Sequence, residues 1–243
     1  MLFRSDLVFA LGGAGQISPD TFQKQKDFIK QFLDTYAASA PGVHVAFINY
    51  GSGEILLEFK NFDTDNLKDK VDRVSLRPGG TVESALTNAQ RQLFGDPKLL
   101  RPHAIKALIV LTGERVNEGD KSLRDAASPL ISKGIKIAAV AVGRTPDKRK
   151  LKIFSSGEEY VFDFSSSGDL PSLVPKVYAV IIKGIPTLWS VKLVLYYVKQ
   201  LIPCQLLPPL THCCLLTNQA SANTSHTQTQ RLWFLFCSNV GLL

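Results

Sequence analysis

The chain has 243 residues, a formal net charge of +7 and an apolar fraction of 45 %. That length suits one large α/β domain, or one domain with an appendage, and the apolar fraction is ordinary for a protein that buries a core in water. Residues 1–184 carry 25 Lys and Arg against all 21 Asp and Glu, a net of only +4, so composition gives no argument for a nucleic-acid partner.

The remaining residues are of a different kind. Residues 185–243 hold three bases (Lys192, Lys199, Arg231), no acid and all four cysteines, where about 7 acids would be usual. The break marks a boundary near Gly184, with a domain at 1–184 and a tail at 185–243 that has no recognisable domain and is expected to be poorly ordered. The apolar stretch 185–202 is interrupted by Lys192 and Lys199, so no membrane span is expected. Cys204, Cys213, Cys214 and Cys237 with His212 do not follow zinc spacing. Asn223-Thr224-Ser225 is a glycosylation sequon of low specificity. Met1 lies five residues before the first strand, so no secretory signal is expected within these residues.

In chain order, residues 7–11 form a continuous apolar run behind Asp6, which reads as a buried parallel strand. Gly12, Gly13 and Gly15 turn the chain, and Ser18-Pro19 opens a helix with serine as N-cap and proline at the first position. Phe22, Ile29, Phe32, Leu33 and Tyr36 then recur at helical spacing. Residues 43–50 and 54–59 are strands joined through Gly51-Ser52-Gly53 as a hairpin, the antiparallel edge common in mixed sheets. A short helix spans 63–74, with Asp63 and Asp65 at its positive end. The loop Arg77-Pro78-Gly79-Gly80-Thr81 leads into a helix over 82–94, broken at Gly95-Asp96-Pro97. Strands at 103–111, 135–142 and 160–164 alternate with helices at 119–133, 146–154 and 169–182. This alternation predicts a doubly wound, mostly parallel six-stranded sheet with one antiparallel edge strand and helices on both faces.

Three landmarks along residues 6–183 resemble the von Willebrand factor type A domain. The first strand and its glycine turn stand where that family has a strand ending in Asp-x-Ser-x-Ser. Gly79-Gly80-Thr81 matches the loop that supplies a metal-binding threonine, and Thr112-Gly113 stands where the family has Thr-Asp-Gly, its aspartate falling on Gly113. In the family, the aspartate and two serines of the first motif, the threonine and the third-loop aspartate hold a divalent cation. Those positions fall here on Gly12, Ala14, Gln16, Thr81 and Gly113, and only Thr81 is retained. The resemblance therefore implies the fold with a degenerate metal-ion-dependent adhesion site. Neutral ligands alone do not offset the dehydration of Mg²⁺, so neither a metal nor any other cofactor is expected.

Other motifs carry less. Gly13-Ala14-Gly15-Gln16-Ile17-Ser18 is a degraded dinucleotide fingerprint, lacking its third glycine and any acid at the end of the second strand. A nucleotide-binding enzyme using the turn from Gly12 to Gly15 is therefore a remote alternative. Asp63, Asp65 and Asp69 lack the glycine that a calcium loop needs. Glu158 and Glu159 are adjacent and cannot face one another as an acid/base pair. Arg144, Lys148, Arg149, Lys150 and Lys152 form the densest basic cluster, reading first as a solvated helix and second as a polyanion patch for a sulfated glycan.

The sequence thus predicts no enzyme but a protein-interaction module. The resemblance implies an extracellular setting within a longer protein, and a likeness to the domains of collagen VI and matrilin families, which bind collagens, other matrix components or one another. The contact loops it suggests contain Gly13, Gln16, Gly80, Thr81, Thr112 and Glu114. An intracellular assembly scaffold of the same fold is the rival reading, compatible with the absence of cysteine from residues 1–184.

Overall fold

The computed structural model describes residues 4–12, 17–37, 42–61, 64–77, 79–113, 116–143, 146–164 and 170–182. The boundary near Gly184, the tail with its cysteines and sequon, Asp63, and the site positions Gly13, Ala14, Gln16, Glu114 and Arg144 lie outside these residues.

Six strands form one sheet in the order β3-β2-β1-β4-β5-β6, with β1 at Ser5–Leu11, β2 at Val43–Asn49, β3 at Glu54–Asn61, β4 at Ile105–Thr112, β5 at Lys136–Ala141 and β6 at Val161–Asp163. All pairings are parallel except the edge pair β2–β3. This is the doubly wound arrangement predicted above. Strand order reverses between β1 and β4, so the crevice of such a sheet opens beyond the C-terminal ends of those two strands.

Apolar patterning explains the layers. Every residue of β1 is buried, and β4 is buried from Ala107 to Thr112, as strands covered on both faces must be. On one face, α1 (Pro19–Ala37) packs with α2 (Thr64–Arg73) and α6 (Leu170–Ile182). An aromatic cluster holds them there: Phe32 meets Phe9 edge-on with centroids 5.0 Å apart and Tyr178 at 5.9 Å. The other face carries α3 (Val82–Asn88), α4 (Asp120–Ser132) and α5 (Lys148–Phe154) over Val8, Ala10, Ala46, Ile48, Leu108 and Val110.

Several boundaries differ from the expected ones, three of them in conformation as well as extent. The helix over 82–94 ends as a π-turn at Ala89–Leu93, where the Phe94 N–H donates to the Ala89 carbonyl (2.8 Å); the wider turn lets Ala89, Leu93 and Phe94 all remain buried. The strand expected from residue 103 starts at Ile105, because His103 adopts φ 60° in a turn closed by the Ala104 N–H on the Arg101 carbonyl. Glu158 and Glu159 stand on a 3₁₀ turn before β6 rather than in an extended lead-in.

At the N-terminal end of the sheet Asp6 is fully buried. Arg101 covers it, donating from Nε to Asp6 Oδ1 (2.8 Å) and from its backbone N–H to Oδ2 (3.2 Å), while its Nη2 reaches the Ser5 carbonyl at 2.6 Å. The aspartate that precedes the first apolar run is thus a structural anchor far from the crevice. Among the described residues, no helix is long and apolar enough to cross a membrane.

Candidate crevice at the ends of β1 and β4

Gly12 follows β1 with φ 143°, a conformation that side-chain-bearing residues rarely adopt. A Cβ placed there would stand 3.1 Å from the Gly51 nitrogen and 3.5 Å from Asn49 Oδ1. Both backbone polar groups of Gly12 are taken by one side chain. Its N–H donates to Gln25 Oε1 (2.9 Å), and Gln25 Nε2 donates to its carbonyl (3.0 Å) and, at 3.4 Å, to the Leu111 carbonyl at the end of β4. Gln25 is itself fully buried. Tyr50 Oη lies 2.9 Å from the same two carbonyls, and the Tyr50 N–H donates to the Leu11 carbonyl (3.1 Å). Burial pushes the Tyr50 phenol well above its ordinary value, with a smaller contribution from the negative charge of Glu118.

The second loop is pressed onto the hairpin. Gly80 has φ 77°, and a Cβ there would lie 1.8 Å from the Tyr50 carbonyl oxygen, so only glycine allows this approach. Thr81 then serves as N-cap of α3. Its Oγ1 accepts from the Ser84 N–H (3.0 Å), and its own N–H donates to Ser84 Oγ (3.0 Å), a capping box. The Val82 N–H donates to Glu118 Oε1. Glu118 Oε2 and Thr112 Oγ1 are buried without a hydrogen-bond partner among the described residues. Gly113 has room: a Cβ would touch Ile17 at 3.4 Å, an ordinary contact.

Of the predicted site residues, then, Gly12, Gly80, Thr81, Thr112 and Gly113 surround one crevice. Sequence reasoning missed Gln25, Tyr50, Asn49 and Glu118. The first was detectable, because Gln25 falls between Phe22 and Ile29 on the apolar stripe of α1, where a polar residue has to find a buried partner.

The described bases of the cluster lie on α5, and one of them touches the crevice: Lys150 Nζ donates to the Glu118 carbonyl (2.7 Å). Each described base has a partner: Lys148 pairs with Asp163 (3.0 Å), Arg149 with Asp120 (2.8 Å), Lys150 with Asp120 (2.5 Å) and Lys152 with Glu158 (2.7 Å). The hydrogen bond from Lys150, joined by the charge of Arg149, holds the Asp120 carboxyl below the usual range, and Lys152 does the same to Glu158.

A doubly wound sheet whose first, second and third crevice loops follow β1, precede α3 and follow β4 defines the class to which the molecule belongs. Residues 6–176 match the von Willebrand factor type A domain, and the chain is a member of that family. It is similar to matrilin-3 of Gallus gallus, with 29 % identity over 70 % of this chain and 39 % of that protein. It is also similar to the collagen alpha-5(VI) chain of Homo sapiens, with 27 % identity over 72 % of this chain and 7 % of that protein. The chain therefore spans less than half the length of these relatives. Among solved structures it resembles proximal thread matrix protein 1 from the mussel byssus in a form with a zinc-occupied MIDAS motif. That likeness has a TM-score of 0.59 and 25 % identity over 74 % of this chain and 45 % of the other.

The family's cation can be tested against the residues present. A hard divalent ion takes several oxygen ligands and normally at least one or two carboxylates. Gly12 and Gly113 have no side chain to offer, and the Thr81 hydroxyl already caps α3. Glu118 is the carboxylate hydrogen-bonded at the start of α3, and one of its two oxygens is committed to the Val82 N–H. Among the described residues no three His, Cys, Asp or Glu side chains converge on a metal-sized space. Among the described residues the family positions thus supply no carboxylate, and Glu118 Oε2 is the carboxylate oxygen left without a hydrogen bond near the start of α3.

Proposed function

We propose that the domain is a non-catalytic interaction module of the extracellular matrix, part of a longer protein, that binds collagens, other matrix proteins or other type A domains without a divalent cation. Its similarity to matrilin-3 and to a collagen VI chain supports the setting. The observation that carries the metal-independent mode is Gly12. The position that would hold the leading aspartate is a glycine at φ 143°, with both its backbone polar groups clasped by Gln25. The same clasp weighs against a nucleotide pyrophosphate, since the Gly12 N–H that would approach it is already bonded.

Contact with a partner would fall on the loop top around Gly80 and Thr81, with the crevice acting as a shaped surface rather than a coordination site; Thr112, expected among the contacts, is buried and presents no surface. A sulfated glycan at α5 would have to displace Asp120, Glu158 and Asp163 from their bases, which favours a protein partner. The domain is proposed to end near Gly184, shortly after α6 closes at Ile182. The test is binding of the purified chain to immobilised collagen VI and to a matrilin, in EDTA and in excess Mg²⁺ or Mn²⁺. Equal binding in both is expected, with no Mg²⁺ uptake by calorimetry. Binding abolished by EDTA would overturn the reading.

A further inference from the structure

A cation held by three loops ties those loops together; when it is absent, the strand ends it joined need another fastening. The crevice contains one. Gln25, on the sheet-facing side of α1, makes a two-way amide pairing with Gly12 and reaches across to Leu111. Both of its ends are engaged: Oε1 accepts from the Gly12 N–H, and Nε2, with two hydrogens, faces two carbonyls. Those carbonyls belong to the last turn of chain after β1 and the end of β4, the two strands between which the sheet reverses. Tyr50, following β2, adds a hydroxyl aimed at the same two carbonyls. A glutamine and a tyrosine thus join β1, β2 and β4 at one buried point.

We infer that Gln25 is the built-in replacement for the cation: a positioning residue whose carboxamide locks the ends of β1 and β4 in a single arrangement, with or without divalent ions. Three features make this more than incidental core polarity. The lock holds Gly12 in a conformation that an aspartate could adopt only under strain. It uses the only backbone N–H that Gly12 has, and it spans the switch point itself. Apolar helices need no such residue, and a buried amide of this kind stands only when fully bonded.

The inference rests on the metal-independent reading, but the two fail separately. That reading is judged by partner binding in chelator, whereas the lock is judged on the chain alone. The experiment is amide hydrogen exchange on the full chain in EDTA, read residue by residue by NMR, for wild type and Gln25→Met. The Gly12 N–H is expected to be protected in wild type and to exchange at least tenfold faster in Gln25→Met, while Leu108 and Ile137, deep in β4 and β5, keep their protection. Should Gln25→Met fail to fold, Gln25→Leu provides the second route: it too withdraws the Nε2 hydrogens from the Gly12 and Leu111 carbonyls, and exchange at Val142, bonded to the neighbouring Thr112 carbonyl, is expected to accelerate. An unprotected Gly12 amide in wild-type chain without divalent ions, or unchanged protection in both variants, would overturn the inference. Manganese-dependent broadening centred on Gly12 in wild type would overturn it as well.

Discussion

Restoring the missing carboxylates should separate the two lost strand-end ligands sharply, because the backbone tolerates one and not the other. Gly12→Asp forces a side chain onto φ 143° and sets its Cβ 3.1 Å from the Gly51 nitrogen. Holding a residue in so sparsely populated a region costs about 1–3 kcal/mol. The close contact, and a carboxylate brought beside Asn49 Oδ1, add roughly 1 kcal/mol more. The expected loss is therefore about 2–4 kcal/mol, or roughly 5–15 °C in melting temperature for a domain of this size. Gly113→Asp meets only Ile17, at 3.4 Å, and should change stability by less than about 1 kcal/mol. Both are read by urea unfolding in EDTA and again in excess manganese. A rebuilt site would show itself as ion-dependent stability, about 2.7 kcal/mol at a hundredfold excess over its dissociation constant. The reasoning is refuted if Gly12→Asp costs nothing, or if either variant gains stability in manganese.

The same contrast shows where a sequence can be read and where it cannot. Layers and strand order were legible because burial imposes period: the run from Leu7 to Leu11 has no polar residue, and the β2–β3 hairpin turns on Gly53 at φ 70°. Ser18 was legible as a cap, and its Oγ accepts the Thr21 N–H at 3.1 Å. Thr81 was identified from its loop, and its hydroxyl is spent on the same local task. Gln25 could not be given a partner, since its acceptors lie 13 and 86 residues away and no local pattern links them. Glu118 has the same difficulty, with its bond to Val82 spanning 36 residues. The basic run around α5 shows the converse limit: composition gave the charges but not Asp120 and Asp163, which the fold brings to them. Patterns repeated along the chain report burial, whereas single polar residues acquire their roles only when topology has chosen their neighbours.

Two further outcomes follow from the buried polar groups. Arg101→Ala removes the guanidinium that pairs with Asp6, a carboxylate 0 % exposed in the intact protein, and leaves it the backbone N–H of residue 101 and His44 at 4.0 Å. A loss of about 3–5 kcal/mol in urea unfolding is expected, with part recovered in the double variant Asp6→Asn, Arg101→Ala; a loss below about 1 kcal/mol would contradict the anchor role. Tyr50 governs the alkaline limb. Its folded pKa is raised by burial above the unfolded value of about 10, so the unfolded chain gives up that proton first as pH rises. The stabilisation is whole below pH ~10 and drains away above it, by about 1.4 kcal/mol per pH unit for one proton. Tyr50→Phe removes this dependence, while costing stability at neutral pH through the hydroxyl withdrawn from the Gly12 and Leu111 carbonyls. Melting curves between pH 8 and about 11 compare the two proteins. Lys30, held above its ordinary value chiefly by Asp72, drains stability over the same range in both, so the difference between the curves isolates the phenol. Parallel curves would mean that Tyr50 meets water in the folded state, and the junction of β1, β2 and β4 would then be open.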